Sequence, residues 1–207
     1  MRYQNSIAFL ERIDSGLSRA GSGYPVNRLG VHTANEGFTG LEFAGGIPGT
    51  VGGGAYMNAG ANGQETGDAV ESVEIMTSEA EYKILKRGDL SFGYRWSSFQ
   101  EMNDLAAITA VTFKLKVLET AKKNQQEYLE RRRCRQPLGE RSAGSVFRNP
   151  QGTEFSAAQL IERAGLKGCR VGGAVTPTSL STAVVQLAAA CLDSLSWPRR
   201  LCGGNLM

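Results

Sequence analysis

The sequence predicts an α+β fold, a meander of strands with few long helices arranged round a glycine-rich centre. Residues 68–76, 82–85 and 108–117 are alternating or β-branched, and no long helical pattern separates them, which fits α+β better than a doubly wound sheet. Residues 40–65 hold nine of the chain's 26 glycines and no charge between Glu42 and Glu65, unlike an ordinary surface loop. Glycine stands where φ must be positive or where something approaches the backbone closely. With 207 residues, 41% hydrophobic and 21% charged, the chain can bury one good core or two small ones.

Taken in order, residues 7–17 place Ile7, Leu10, Ile13 and Leu17 at helical spacing. Gly21, Ser22, Gly23 and Pro25 mark a turn. Val26, Leu29, Val31 and Ala34 predict a short helix over Val26–Asn35. The glycine-rich stretch follows. Bare N–H groups lining such a turn can cradle a phosphate or another anion, and a plain connector for tight turns accounts for the composition equally well. Residues 68–76 and 82–85 read as strands, 92–99 (FGYRWSSF) as a loop, and 108–117 as a long strand. Leu118, Ala121, Gln125, Tyr128 and Leu129 then fall at helical spacing until Pro137 stops the helix, so a domain boundary is placed near Leu118. Residues 155–164 predict a second helix with Gly165 as its C-cap, and residues 166–175 a strand and turn. There are no internal repeats.

The bulk numbers exclude several classes. Net charge is +3, from 23 basic and 20 acidic residues, and much of the excess lies in RRRCR at 131–135. That local patch suits an anionic ligand. Without interleaved aromatics it does not suit nucleic acid. Cysteines 134, 169, 191 and 202 form no CxxC pair, and His32 is the sole histidine, so neither a disulfide framework nor a metal site is expected. The N-terminal residues lack the apolar core of a secretory signal, and no apolar run approaches a bilayer span. Oligomeric state is not legible.

Three motifs, GLEFAGGIPGTVGGGAYMNAGA from Gly40, FGYR at 92–95 and AGSVFRNP at 143–150, occur in one order and spacing. Together they resemble the UDP-N-acetylenolpyruvoylglucosamine reductase (UDP-N-acetylmuramate dehydrogenase) family, from about Ile7 to Ala174. The resemblance implies an incomplete FAD-binding domain of the PCMH/vanillyl-alcohol-oxidase type at 1–118, lacking its first subdomain. A smaller α+β substrate-binding domain follows at 119–174, and a divergent tail at 175–207. It also puts a strand near residues 7–9, against the helical spacing there, and both readings stand.

The chemistry implied is reduction of FAD by NADPH and hydride transfer to the enolpyruvyl double bond of a UDP-sugar. That reaction needs a fixed positive charge for the developing carbanion and a proton donor. Arg95 matches the first and Ser145 the second. A loop arginine is otherwise commonly solvated and a serine beside glycine commonly a turn former, so both roles rest on the flanking motifs. Gly46, Ile47, Pro48, Gly49 and Thr50 would run along the flavin, and Gly52, Gly53, Asn58 and Ala59 would form the opposite wall. Gly54 replaces the small side chain the family more often carries. Arg132, in an Arg-x-x-x-Gln-Pro pattern, would meet substrate or the flavin edge, while Arg148 and Asn149 would meet the UDP diphosphate. Arg131 and Arg133 read better as charges at a helix end.

The resemblance breaks at both ends. The Gly-x-Gly-Ser-Asn loop with which the family begins has no counterpart. After Ala174, where the family has Ser, then His-Ala-Asn-Phe and later a glutamate, this chain reads VTPTSLSTAVVQL. A single codon offset permits family residues around Pro177 and Ser179, at 184–187 and at 197–200, so the tail is expected to be out of frame. Its Ala- and Leu-rich segment, 187–195, would form a helix without a designed partner. An inactive remnant that still binds a nucleotide sugar is the alternative to an active reductase. The family implies a cytoplasmic location in a bacterium, or a plastid in a photosynthetic eukaryote.

Overall fold

A computed structural model of the chain describes residues 7–135, 142–145, 147–171, 174–175 and 184–187, the last three strands and residues 135 and 142–145 by their backbone. These residues fall into two compact units, one ending at Arg131 and the other beginning at Arg132.

In chain order the first unit holds strands β1 (Leu10–Asp14) and β2 (Leu17–Gly21), helix α1 (Val26–Asn35) and strand β3 (Phe38–Thr39). A 3₁₀ turn (Glu42–Gly46), helix α2 (Val51–Tyr56), strands β4 (Gly60–Ala61) and β5 (Gln64–Glu65) and helix α3 (Thr66–Ala69) follow. Then come β6 (Val70–Thr77), β7 (Tyr82–Lys86), β8 (Phe92–Gly93), β9 (Trp96–Ser97), β10 (Leu105–Lys114), β11 (Lys116–Val117) and most of helix α4 (Ala121–Arg135). The second unit adds β12 (Ser142–Ser145), α5 (Ala157–Arg163), β13 (Arg170–Val171), β14 (Ala174–Val175) and β15 (Val184–Leu187).

The frame of the first unit is an antiparallel sheet in the order β1-β2-β10-β6-β7. Register sets its inner face: Val111 lies opposite both Ala20 and Val73, and Phe113 opposite Ser18 and Val70. Because side chains alternate across a strand, Val73, Ile75, Val111 and Phe113 all point into the core, each at most 1% exposed. Burying a side chain of that size is worth about 1.5–3 kcal/mol. On the outer face Arg19 forms a two-pronged ion pair with Glu74, at 2.6 and 2.8 Å, and a third bond to Glu11 at 3.0 Å.

Helix α1 buries Val26, Leu29, Gly30, Thr33 and Ala34, a stripe at i, i+3, i+4, i+7 and i+8. Pro25 at its N-cap gives no side-chain hydrogen bond; instead the Val26 N–H donates to Gly49 O at 3.1 Å, so the glycine-rich stretch starts the helix. Gly30 lets the helix lie against that stretch, since a Cβ there would meet Leu41 O at 2.5 Å and Gly45 N at 2.7 Å.

One open reading is decided and one expectation is corrected. Residues 10–21 form a hairpin, not a helix: Ile13 is exposed on the outer face, and Gly16, at φ +77° with no room for a Cβ beside Leu115 O, turns the chain. FGYRWSSF is likewise a hairpin, β8–β9, followed by a 3₁₀ turn, its two-residue strands being too short for any periodic signal. The helix Val26–Asn35 agrees with its expectation. The first unit continues past Leu118 because α4 turns Ala121, Gln125 and Tyr128 onto the core.

In the second unit α5 begins with a Ser156–Gln159 capping box and ends at Gly165, φ +68°. There Gly165 N–H donates to Glu162 O and Leu166 N–H to Ile161 O, the two bonds of a Schellman cap. The sheet order is β12-β15-β14-β13, with Ser145 opposite Val184 and Ala174 opposite Leu187. Within the tail, Val175 and Val184–Leu187 are described, so Leu187 of the expected 187–195 helix ends a strand and the rest of that helix lies outside the described residues. Among the described residues no helix is long and apolar enough to cross a membrane, and no acidic, His or Cys cluster could hold a metal. Cys134 and Cys169 form no disulfide among the described residues.

Candidate functional site

The glycine-rich stretch is anchored by two carboxylates that bracket its uncharged span. Glu42 is 1% exposed and accepts from Thr39 Oγ1 at 2.5 Å and from Gly40 N–H at 2.7 Å. Those bonds fix the 3₁₀ turn that carries Gly45 and Gly46. Ile47 closes it by donating its N–H to Ala44 O at 2.8 Å, with its side chain half-buried against the core.

Pro48, Gly49 and Thr50 then emerge onto the surface. Gly49 stands at φ +146°, with open space where a Cβ would lie, and its N–H has no acceptor among the described residues. Thr50 caps α2 by accepting from Gly53 N–H at 3.3 Å. Gly52 is buried and donates its N–H to Ser22 O, and its own Cβ would meet the Ser22 side chain at 2.7 Å. Gly53 is exposed. Thr50, Gly53 and Tyr56 face residues 105–108 across a groove of about 380 Å³. A shallow exposed turn of this kind, with a free N–H and no side chains in the way, fits a flat ligand that carries acceptor oxygens.

Beyond α2 the chain reaches Asn58, which is 0% exposed and left-handed at φ +44°. Its Nδ2 donates to Glu65 Oε2 at 2.5 Å and to Gly93 O at 2.9 Å, and its Oδ1 accepts from Gly67 N–H at 2.8 Å. Ala59 donates its N–H to Gly54 O and accepts from both the N–H and the hydroxyl of Thr66. Asn58 therefore spends its amide inside the protein, and Ala59 pairs both of its backbone groups there.

Arg95 occupies the second place of the β8–β9 turn at φ +55°, a conformation uncommon for a bulky residue. Its guanidinium is half-buried, donates to Gly60 O at 3.0 Å and lies 5.3 Å from the Tyr94 ring centre. Ser97 Oγ and Gln100 Nε2 both donate to Tyr56 O, at 2.6 and 3.0 Å. The FGYR hairpin is thus laced to residues 56–60, and the candidate arginine sits beside the glycine-rich wall.

The remaining candidates lie in the second unit. Arg132 is half-buried near the end of α4, where burial pushes its pKa down, and no carboxylate partners it among the described residues. Arg148 and Asn149 are exposed, and Asn149 Oδ1 accepts from Ala157 N–H at 3.1 Å, at the start of α5. Ser145 is the last residue of β12. Sequence reasoning missed Glu42, Glu65, Ser97 and Gln100. The charge pattern could have revealed the first two, because they are the only charges bordering the uncharged run.

An FAD binding domain model matches residues 6–86, and a model for the C-terminal domain of UDP-N-acetylenolpyruvoylglucosamine reductase matches residues 136–194. The chain is 44% identical over 170 residues to the UDP-N-acetylenolpyruvoylglucosamine reductase of Protochlamydia amoebophila, covering 82% of this chain and 56% of the relative. It is 41% identical over 174 residues to that of Thermotoga maritima, covering 84% and 61%. The crystal structure of the Thermus caldophilus reductase superposes with a TM-score of 0.70 at 34% identity, over 83% of this chain and 62% of that one. The chain therefore spans little more than half the length of the curated relatives it matches. Two domain models in tandem, relatives above 40% identity and a shared fold agree: the chain belongs to the UDP-N-acetylenolpyruvoylglucosamine reductase family.

Proposed function

We propose that this chain works as an FAD-dependent reductase, taking electrons from NADPH and reducing the enolpyruvyl group of a UDP-sugar to UDP-N-acetylmuramate. The observation that carries the reading is the attachment of the Arg95 hairpin to the glycine-rich wall through Asn58, Gly60 and Tyr56. It puts a fixed cation next to a surface suited to a flat cofactor.

Gly46–Thr50, with Gly52, Gly53 and Ala59, would hold the flavin, the Gly49 N–H meeting an acceptor oxygen and Ile47 bordering the ring. FAD, when bound, supplies the hydride relay between NADPH and the enolpyruvyl double bond. Arg95 stabilises the negative charge that develops beside the substrate carboxylate, and half-burial makes its charge count for more than it would in water. Ser145 delivers the proton to carbon. Arg132, Arg148 and Asn149 bind the diphosphate and substrate, with guanidinium forks matched to phosphate oxygens.

The test adds FAD to the 207-residue chain, removes free flavin by desalting and records the visible spectrum, then follows NADPH oxidation with the enolpyruvyl nucleotide sugar. A retained yellow chromophore and substrate-dependent oxidation support the proposal. A colourless chain that leaves NADPH unoxidised but still binds the nucleotide sugar replaces it with a second reading, a non-catalytic fragment. Coverage of 56% of the Protochlamydia relative is what keeps that reading in play.

A further inference from the structure

We propose that Asn58 is a positioning residue for Arg95, acting through the β8–β9 hairpin rather than touching the cofactor; this rests on the function proposed above for Arg95.

The Asn58 amide has two donors, and both are used, toward Glu65 and toward Gly93 O. Its oxygen takes the Gly67 N–H, and no part of the side chain is exposed. The partners also fix which way the amide points, because only the NH₂ can face a carboxylate and a carbonyl together. Nothing remains to contact a ligand.

The hairpin needs such a support. Its two strands have two residues each and pair only as Phe92 with Ser97 and Gly93 with Trp96, and a lone two-stranded ribbon is marginal in water. Its turn holds a left-handed arginine, which persists only where the surroundings over-determine it. Asn58 grips Gly93 O two residues before Arg95, and Arg95 grips Gly60 O two residues after Asn58. Of this reciprocal pair, the Asn58 side chain is fully buried and backed by the Glu65 carboxylate, whereas Arg95 is half-exposed, so Asn58 sets where the guanidinium stands.

Asn58→Gly separates this role from backbone strain, since glycine adopts positive φ freely and lacks only the amide. Asn58→Asp keeps the shape and the acceptor but sets a second carboxylate against Glu65. Both are made in the full chain carrying Trp197→Phe, which leaves Trp96 of the hairpin as the single tryptophan. Amide hydrogen exchange and acrylamide quenching of Trp96 are measured. In Asn58→Gly, exchange across residues 92–97 speeds up about tenfold, the factor expected for losing the one hydrogen bond that reaches the hairpin, at Gly93 O, and Trp96 quenching rises, while α1 and β10 exchange as before. Asn58→Asp shows the same pattern, more strongly.

An Asn58→Gly hairpin as protected as the wild type overturns the proposal, as does equal loosening of α1 and β10, which would make Asn58 a general core residue. If the wild-type chain retains no flavin, the proposed function fails, yet both measurements still decide whether Asn58 seats Arg95.

Discussion

A Cβ placed on Gly45 would lie 2.5 Å from Nε2 of Gln125, so helix α4 approaches the glycine-rich stretch only because residue 45 has no side chain. Gln125 is 5% exposed and its Nε2 finds no acceptor among the described residues. Gly45→Ala must therefore push a packed amide aside, and overpacking of this kind costs about 1–3 kcal/mol. Denaturant midpoints should fall accordingly. In a Gln125→Ala background the cost should largely vanish, since the two residues are in contact and their effects do not add.

Gln125 alone gives the opposite sign. A buried donor without an acceptor is expensive, whereas an apolar side chain of similar length carries no such penalty. Gln125→Met should raise unfolding free energy by about 1 kcal/mol, read from the same denaturant titration. A loss of stability would mean that a buried water satisfies the amide.

On the outer face of the sheet, the Arg19 hydrogen bonds hold the Glu74 carboxyl below its ordinary range, against a smaller opposing effect of burial. A lowered native pKa means that the folded state binds this proton less readily than the unfolded chain does. The pair's stabilisation is therefore complete above the ordinary glutamate value of 4.5 and disappears as pH falls through the lower native value. Glu74→Gln should cost about 1–3 kcal/mol near neutral pH and flatten the acid limb of the stability profile. An unchanged acid limb would show that Arg19 is served equally well by Glu11.

Much of the fold was legible where a pattern spans several turns or pleats. The helix Val26–Asn35, strands β6, β7 and β10 and the Gly165 cap all carry periodic or stereochemical signals that tertiary packing reinforces. The first hairpin was ambiguous because Leu10, Ile13 and Leu17 imitate a helical stripe while Ile13 faces solvent. Strands β8 and β9 were invisible because they are held by side chains from elsewhere, Asn58 above all. The resemblance set Asn58 against the flavin through its neighbours, and what no local pattern carries is that Glu65, Gly67 and Gly93 take up its amide. Glu42 went unread because its partners, Thr39 and Gly40, are ordinary turn residues until the carboxylate is seen between them.

Arg95 stores strain that can be measured. At φ +55° a residue with a Cβ is disfavoured, and glycine there relieves roughly 1 kcal/mol. The bond to Gly60 O, half-buried, is worth a similar amount. Arg95→Gly should thus leave thermal stability within about 1 kcal/mol of wild type while abolishing turnover if the chain is active. Arg95→Lys keeps the charge but adopts the left-handed backbone no more easily, and it should lose at least tenfold in turnover because an ammonium cannot reproduce the planar fork.

Arg132 combines the two considerations. Burial pushes its pKa down, and no carboxylate among the described residues pushes back, although a guanidinium remains charged at any working pH. A half-buried cation without a counter-charge destabilises the unliganded protein and gains when an anion arrives. Arg132→Met keeps the length and apolar stem while removing the charge. It should raise the melting temperature slightly, by the equivalent of about 0.5–1 kcal/mol. Affinity for UDP, read by calorimetry, should fall at least tenfold, and the salt dependence of binding should weaken. Lost stability with unchanged UDP affinity would instead assign Arg132 to internal packing and leave Arg148 as the candidate cation for the diphosphate.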